Sequence, residues 1–78
     1  MAIFDMRGSI ARCIEDRGIR PAFVANRSGV RLESLYRILA KQRELRADEM
    51  MRISEALGVD PIELARLYPA REGEVQRG

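Results

Sequence analysis

The stretch PAFVANRSGVRLESLYRILA, residues 21 to 40, decides how this chain folds. Pro21 suits the first turn of a helix, where a missing N–H leaves no bond unmade, and Phe23, Val24 and Ala25 supply apolar contacts before Gly29 stops it. A helix is predicted over residues 21–28. After the turn Ser28-Gly29-Val30-Arg31, the residues Leu35, Ile38 and Leu39 recur at helical spacing, which predicts a second helix over 32–40. Arg31, Glu33, Tyr36, Arg37 and Lys41 then project mostly away from the core. Ala25 is small where the two helices cross, and Gly29 can take the left-handed conformation of a tight turn. Val30, Leu35 and Ile38 hold the second helix at a fixed angle. The polar face of that helix is the feature a function must explain.

Helical periodicity continues on both sides, and nothing alternates long enough to suggest a sheet. Met6, Ile10, Cys13 and Ile14 share one helical stripe with Gly18 as a stop signal, which predicts a helix over about residues 3–17. KQREL, residues 41 to 45, reads as a basic loop. Ala47, Asp48 and Glu49 open a fourth helix with acids in its first turn, favourable against the helix dipole, and Met50, Ile53 and Leu57 form its buried stripe up to Gly58. Asp48, Glu49 and Glu55 read as a solvated face. Asp60 caps the last helix, Pro61 fits its first position, and Glu63 completes a capping-box spacing ahead of Ile62, Leu64, Leu67 and Tyr68. Pro69 ends it. The expected organisation is an all-α domain of five helices over residues 1–68 and a flexible C-terminal tail over 69–78, where AREGEVQRG lacks apolar periodicity.

A chain of 78 residues makes one small domain that buries only part of its unfolded surface, about 60–65% by size scaling. Its stability margin is slim, and self-association would widen it. One cysteine, Cys13, leaves no partner for an intrachain disulfide, and the chain has no histidine. Imidazole metal sites and histidine-based catalytic triads are therefore excluded. No metal, cofactor or catalytic residue is expected, and adjacent acids such as Asp48 and Glu49 diverge on a helix rather than converging on one substrate. Cys13 lies on the buried stripe of the first helix and reads as packing. The sequence holds no apolar run long enough to span a bilayer, and MAIFDMRGSI lacks the pattern of a signal peptide. The reading is a soluble, cytoplasmic protein with no membrane partner.

The net charge of +2 hides an uneven distribution. Residues 17–46 carry eight basic side chains against two acids, whereas residues 1–16 have a net charge of −1 and residues 47–78 of −3. A basic middle between acidic ends suits a face that meets a polyanion. Thirteen of the fourteen basic residues are arginine, so the same pattern also fits a plain solvated surface.

Ala25, Gly29, Val30, Leu35 and Ile38 occupy the fifth, ninth, tenth, fifteenth and eighteenth positions of residues 21–40. This spacing resembles the helix-turn-helix of the lambda-repressor-like family, the phage repressors, Cro proteins and related bacterial regulators. ELRADEMMRISEALGVDPIEL resembles the fourth and fifth helices of the same family, so the likeness covers about residues 3–68. It implies transcription regulation by major-groove binding, usually by a homodimer on a palindromic double-stranded DNA operator.

By motif position, the resemblance places Arg31, Leu32, Glu33, Tyr36 and Arg37 nearest base edges. Arg31 or Arg37 would fork onto guanine, Glu33 would accept from a cytosine amine, and Leu32 would touch a thymine methyl, each good bidentate pair giving roughly 1–3 kcal/mol of discrimination. Tyr36 is open to either a phosphate or a thymine methyl. Arg20, Ser34, Lys41, Gln42 and Arg43 are implied as phosphate or groove-edge contacts, which position a protein without reading sequence. Three residues depart from the family pattern. Arg31 stands where a capping serine, threonine or asparagine is usual, Lys41 where a glycine often follows the recognition helix, and Glu33 sets a carboxylate toward the groove or pairs with Arg37 at i+4. Lys41 predicts a strained or differently shaped turn.

The leading expectation is a repressor of phage repressor or Cro type that occupies an operator and blocks polymerase, with no second domain for ligand sensing. The competing one is a protein-interaction module that kept the fold and lost specific DNA binding; Leu32 and Glu33 keep it open.

Overall fold

The computed structural model describes residues 5–69. They form five helices: α1 (Met6–Arg17), α2 (Pro21–Ser28), α3 (Leu32–Leu39), α4 (Ala47–Leu57) and α5 (Pro61–Leu67). No strand occurs among the described residues, and none of their helices is long and apolar enough to cross a membrane. The all-α, five-helix order read from the sequence holds. Residues 3 and 4, expected in the first helix, and residues 70–78 of the expected tail lie outside the described residues.

The first helix begins at Met6 because Asp5 caps it, its carboxylate accepting the Arg7 backbone N–H at 3.0 Å. Asp60 caps α5 in the same way, accepting from the Ile62 N–H at 2.8 Å. The reciprocal half of a capping box, expected from Glu63, does not form among the described residues.

α2 packs against α3 and α4, α1 against α3 and α5, and α4 against α5. Ile10, Cys13 and Ile14 of α1, Val24 and Ala25 of α2, Leu35 of α3, Ile53 and Leu57 of α4, and Leu64 of α5 meet in one core with Val30 and Val59 from the connections. The turn between α2 and α3 is fixed from inside. Gly29 takes a left-handed conformation (φ 79°), its N–H donates to the Ala25 carbonyl at 2.9 Å, and the buried Ser28 hydroxyl accepts the Val30 N–H at 3.2 Å.

Several side chains sit differently from the sequence reading. Glu49, expected in a solvated face, is buried, while Met50, expected in the buried stripe, is half-buried. The loop before α4 folds back over the helix start and brings a cation to that carboxylate. Phe23 and Ile62 were expected to pack inward but are 48% and 70% exposed, and Leu67 is 51% exposed. Helices of seven or eight residues present barely two turns, so one or two apolar positions on each satisfy the core and the rest face out. Phe23 instead carries the Arg27 guanidinium over its ring, 5.3 Å from the centroid.

Candidate nucleic-acid interface

The eight residues of α3 divide cleanly between two faces. Leu35 and Ile38 are fully buried and anchor the helix, whereas Leu32, Glu33, Tyr36 and Arg37 are exposed. Positions 32 and 36, and 33 and 37, are helical neighbours one turn apart, so the four form a contiguous polar and aromatic patch. Tyr36 is 52% exposed and Leu32 38%. Ser34 lies at the edge, half-buried. Glu33 and Arg37 form no ion pair among the described residues, which leaves both side chains available to an outside partner.

Three of the five helices begin at an arginine that cannot act as a cap. Arg20, Arg31 and Arg46 are the N-cap residues of α2, α3 and α4, all in extended backbone and without a side-chain capping bond. A guanidinium has no acceptor, so no side chain at these three N-cap positions satisfies a first-turn N–H, and a cation stands beside each helix start. α1 and α5, led by Asp5 and Asp60, are neutralised from within the chain. The start of α4 is likewise neutralised, by Asp48 and by Glu49, which accepts the Arg46 N–H, so an anion suits the starts of α2 and α3 best.

The connection from α3 to α4 carries the remaining candidates. Ala40 closes α3, and Lys41 follows at φ 62°, the non-glycine residue with positive φ among those described. The turn shape expected from a lysine at this position is therefore present. Lys41 is half-buried with its Nζ 3.9 Å from the Asp5 carboxylate, so it does not stand free of the core as the sequence suggested. Gln42 is exposed, and its N–H donates to the Arg37 carbonyl at 2.8 Å.

Arg43 is differently placed. Its guanidinium donates to both oxygens of Glu49, at 2.9 and 2.8 Å, and to the Glu44 carbonyl at 3.1 Å. Glu49 also accepts the Arg46 backbone N–H at 3.1 Å. The hydrogen bonds from Arg43 outweigh partial burial and hold the Glu49 carboxyl below its usual range, while the same contact raises Arg43. On the far side, Arg7 donates through Nη1 to the Arg43 carbonyl at 3.1 Å. Its Nε and Nη2 grip Asp5 at 2.9 and 3.0 Å, which lowers the Asp5 carboxyl.

The five residues 31, 32, 33, 36 and 37 thus lie on or at the start of one helix, with 41 and 42 directly after it. Arg20 is exposed at the opposite end of the motif, on the N-cap of α2, and Arg43 is turned into the protein. Sequence reasoning passed over Arg46, whose side chain is 74% exposed and only loosely held by Asp48 at 3.8 Å. Its place immediately before the helix-opening Ala47-Asp48-Glu49 is the signal that marks it. Arg52 binds Asp48 more closely, at 2.8 Å through the other carboxylate oxygen.

Comparison with curated proteins and with solved structures finds no match. Residues 9–70 match the family model of the Cro/C1-type HTH DNA-binding domain, a span that takes in all of α2 to α5 and most of α1. With 62 of its 78 residues matched, the chain belongs to the Cro/C1-type helix-turn-helix DNA-binding family.

Proposed function

We propose that this DNA-binding regulator is a sequence-specific repressor that acts by occupying a double-stranded operator. The observation that carries the reading is the unpaired face of α3, where Leu32, Glu33, Tyr36 and Arg37 are exposed directly over the buried anchors Leu35 and Ile38. Such a helix, held rigidly from behind, can lie in a major groove and present side chains to base edges. Arg37 and Arg31 would take guanine, Glu33 a cytosine amine and Leu32 a thymine methyl. Arg20, Arg46, Lys41 and Gln42 would fix the register on phosphates, with the uncapped helix starts after Arg20 and Arg31 adding N–H donors.

A homodimer on a palindromic operator fits the exposed apolar side chains Met51, Ile62 and Leu67 on α4 and α5. A dimer neutralising about six phosphates would lose affinity with salt at a log–log slope of about −5.

The test is fluorescence anisotropy against DNA from upstream of the protein's own gene and a scrambled duplex. Binding to the native fragment at least about a hundredfold tighter supports the regulator reading. Arg37→Ala should weaken specific binding by roughly 1–3 kcal/mol while Glu33→Gln raises affinity for the scrambled duplex, because a carboxylate no longer faces phosphate. A second reading, a protein-interaction module, draws on the exposed Leu32 and the unpaired Glu33. It gains if the protein binds neither duplex.

A further inference from the structure

Glu49 is a buried acid beside the segment that follows the recognition helix. It lies at the third position of α4, and both its oxygens are engaged by groups of that segment. We propose that Glu49 is a positioning residue for the DNA-facing segment 40–46, and that Arg43 serves as its internal strut rather than as a phosphate ligand. The inference rests on the reading above, that this segment follows α3 onto the DNA backbone.

The geometry sets out the reasons. A guanidinium that makes a two-point contact with a carboxylate has its planar fork fully committed, with Nη1 also donating to the Glu44 carbonyl at 3.1 Å. To reach a phosphate it would have to abandon a buried carboxylate, which would then stand unpaired. The backbone of Arg43 is caught from the other side, since Arg7, braced by Asp5, donates to its carbonyl at 3.1 Å. One residue is thereby clamped between the start of α1 and the start of α4. Lys41 lies two positions before this clamp and Arg46 three after it, and Glu49 accepts the Arg46 N–H directly. The clamp consequently sets where the half-buried Lys41 and the exposed Arg46 stand, and it lets Lys41 keep its left-handed backbone next to Asp5.

Two conservative variants separate strut from ligand. Arg43→Lys keeps the positive charge but loses the fork, and Glu49→Gln keeps the shape and an acceptor for the Arg46 N–H but loses the charge that holds Arg43. Phosphate contacts are independent of sequence, so the probe is a 20-base-pair duplex of random sequence, titrated by anisotropy at two salt concentrations. Both single variants are expected to weaken binding by roughly threefold to tenfold, and the double variant no further than either, as for residues acting through one contact.

If Arg43 is a phosphate ligand instead, Arg43→Lys binds like the unmodified protein and Glu49→Gln binds equally or more tightly. That result overturns the inference. Circular dichroism on each variant establishes that it is folded; should Glu49→Gln unfold, Arg43→Lys carries the decision alone, since a point charge suffices for a phosphate but not for the fork. Arg37→Ala, measured on the native upstream fragment, keeps the two readings apart. A neutral Arg37→Ala with damaged Glu49→Gln undermines the α3 face and leaves the strut standing, whereas the reverse pattern removes the strut alone.

Discussion

Tyr68 donates its hydroxyl to the Asp16 carboxylate at 2.9 Å, joining the end of α5 to the end of α1 across 52 positions of sequence. Arg17 donates to the same hydroxyl at 3.4 Å, and the ring packs half-buried against the core. The hydrogen bonds are exposed, so most of the contribution of Tyr68 comes from its ring. Tyr68→Phe should change stability by no more than about 0.5 kcal/mol, and Tyr68→Ala should lower it by roughly 1–3 kcal/mol. Urea unfolding of the two variants checks the division; an equal loss in both would assign the contribution to the hydroxyl.

Lys41 is held in a conformation that a side chain disfavours, with φ 62°. Glycine has no Cβ to clash there, so Lys41→Gly should raise stability by about 1 kcal/mol, less whatever the distant contact with Asp5 contributes. The same change removes a cation expected near phosphate. Stability and DNA affinity should therefore move in opposite directions, with the salt slope shallower by about one unit. A variant that gains on both counts would remove Lys41 from the interface.

Acid should loosen the segment between α3 and α4 before it disturbs the core. The carboxyls of Asp5 and Glu49 are lowered from their ordinary values of 3.8 and 4.5, by Arg7 and Arg43 respectively. A carboxyl lowered on folding contributes stability above its unfolded value and loses it as pH falls through the folded one. The unfolding midpoint should accordingly hold steady toward neutral pH and drop as pH goes below about 4.5. Asp5→Asn and Glu49→Gln should start lower and show a flatter acid limb. Thermal unfolding between pH 7 and pH 3 measures it, and an unchanged acid limb in both variants would place the acid sensitivity elsewhere.

The helices were legible because their ends are punctuated by residues with one physical role. Pro21 and Pro61 begin helices, Gly18, Gly29 and Gly58 end them in left-handed backbone, and Leu35 with Ile38 marks the buried side of α3. The exposed face of α3 followed from that anchor. What periodicity could not supply was the fate of charges in a loop. Arg43 and Glu49 are six positions apart with a chain reversal between them, and only the course of residues 44–46 brings them together. A count of charges scores Arg43 as one more solvated cation and Glu49 as one more solvated acid. Phe23 and Ile62 were misread for a related reason, since hydrophobicity states what a side chain prefers and a two-turn helix has too little neighbouring structure to grant it.

Two serines oppose the fold that surrounds them. Ser9 in α1 and Ser54 in α4 are 0% and 1% exposed, and their hydroxyls have no hydrogen-bond partner. A buried hydroxyl without a partner has lost its water and gained nothing, at a cost of roughly 1–3 kcal/mol. Alanine fits the same space, leaves a void no larger than one oxygen and is a better helix former. Ser9→Ala and Ser54→Ala should each raise the urea midpoint, by the equivalent of about 0.5–2 kcal/mol, with the slope of the transition unchanged. A fall in the midpoint for either would mean that its hydroxyl has a partner in the folded protein, and the i−4 backbone carbonyl of its own helix would be the first to examine.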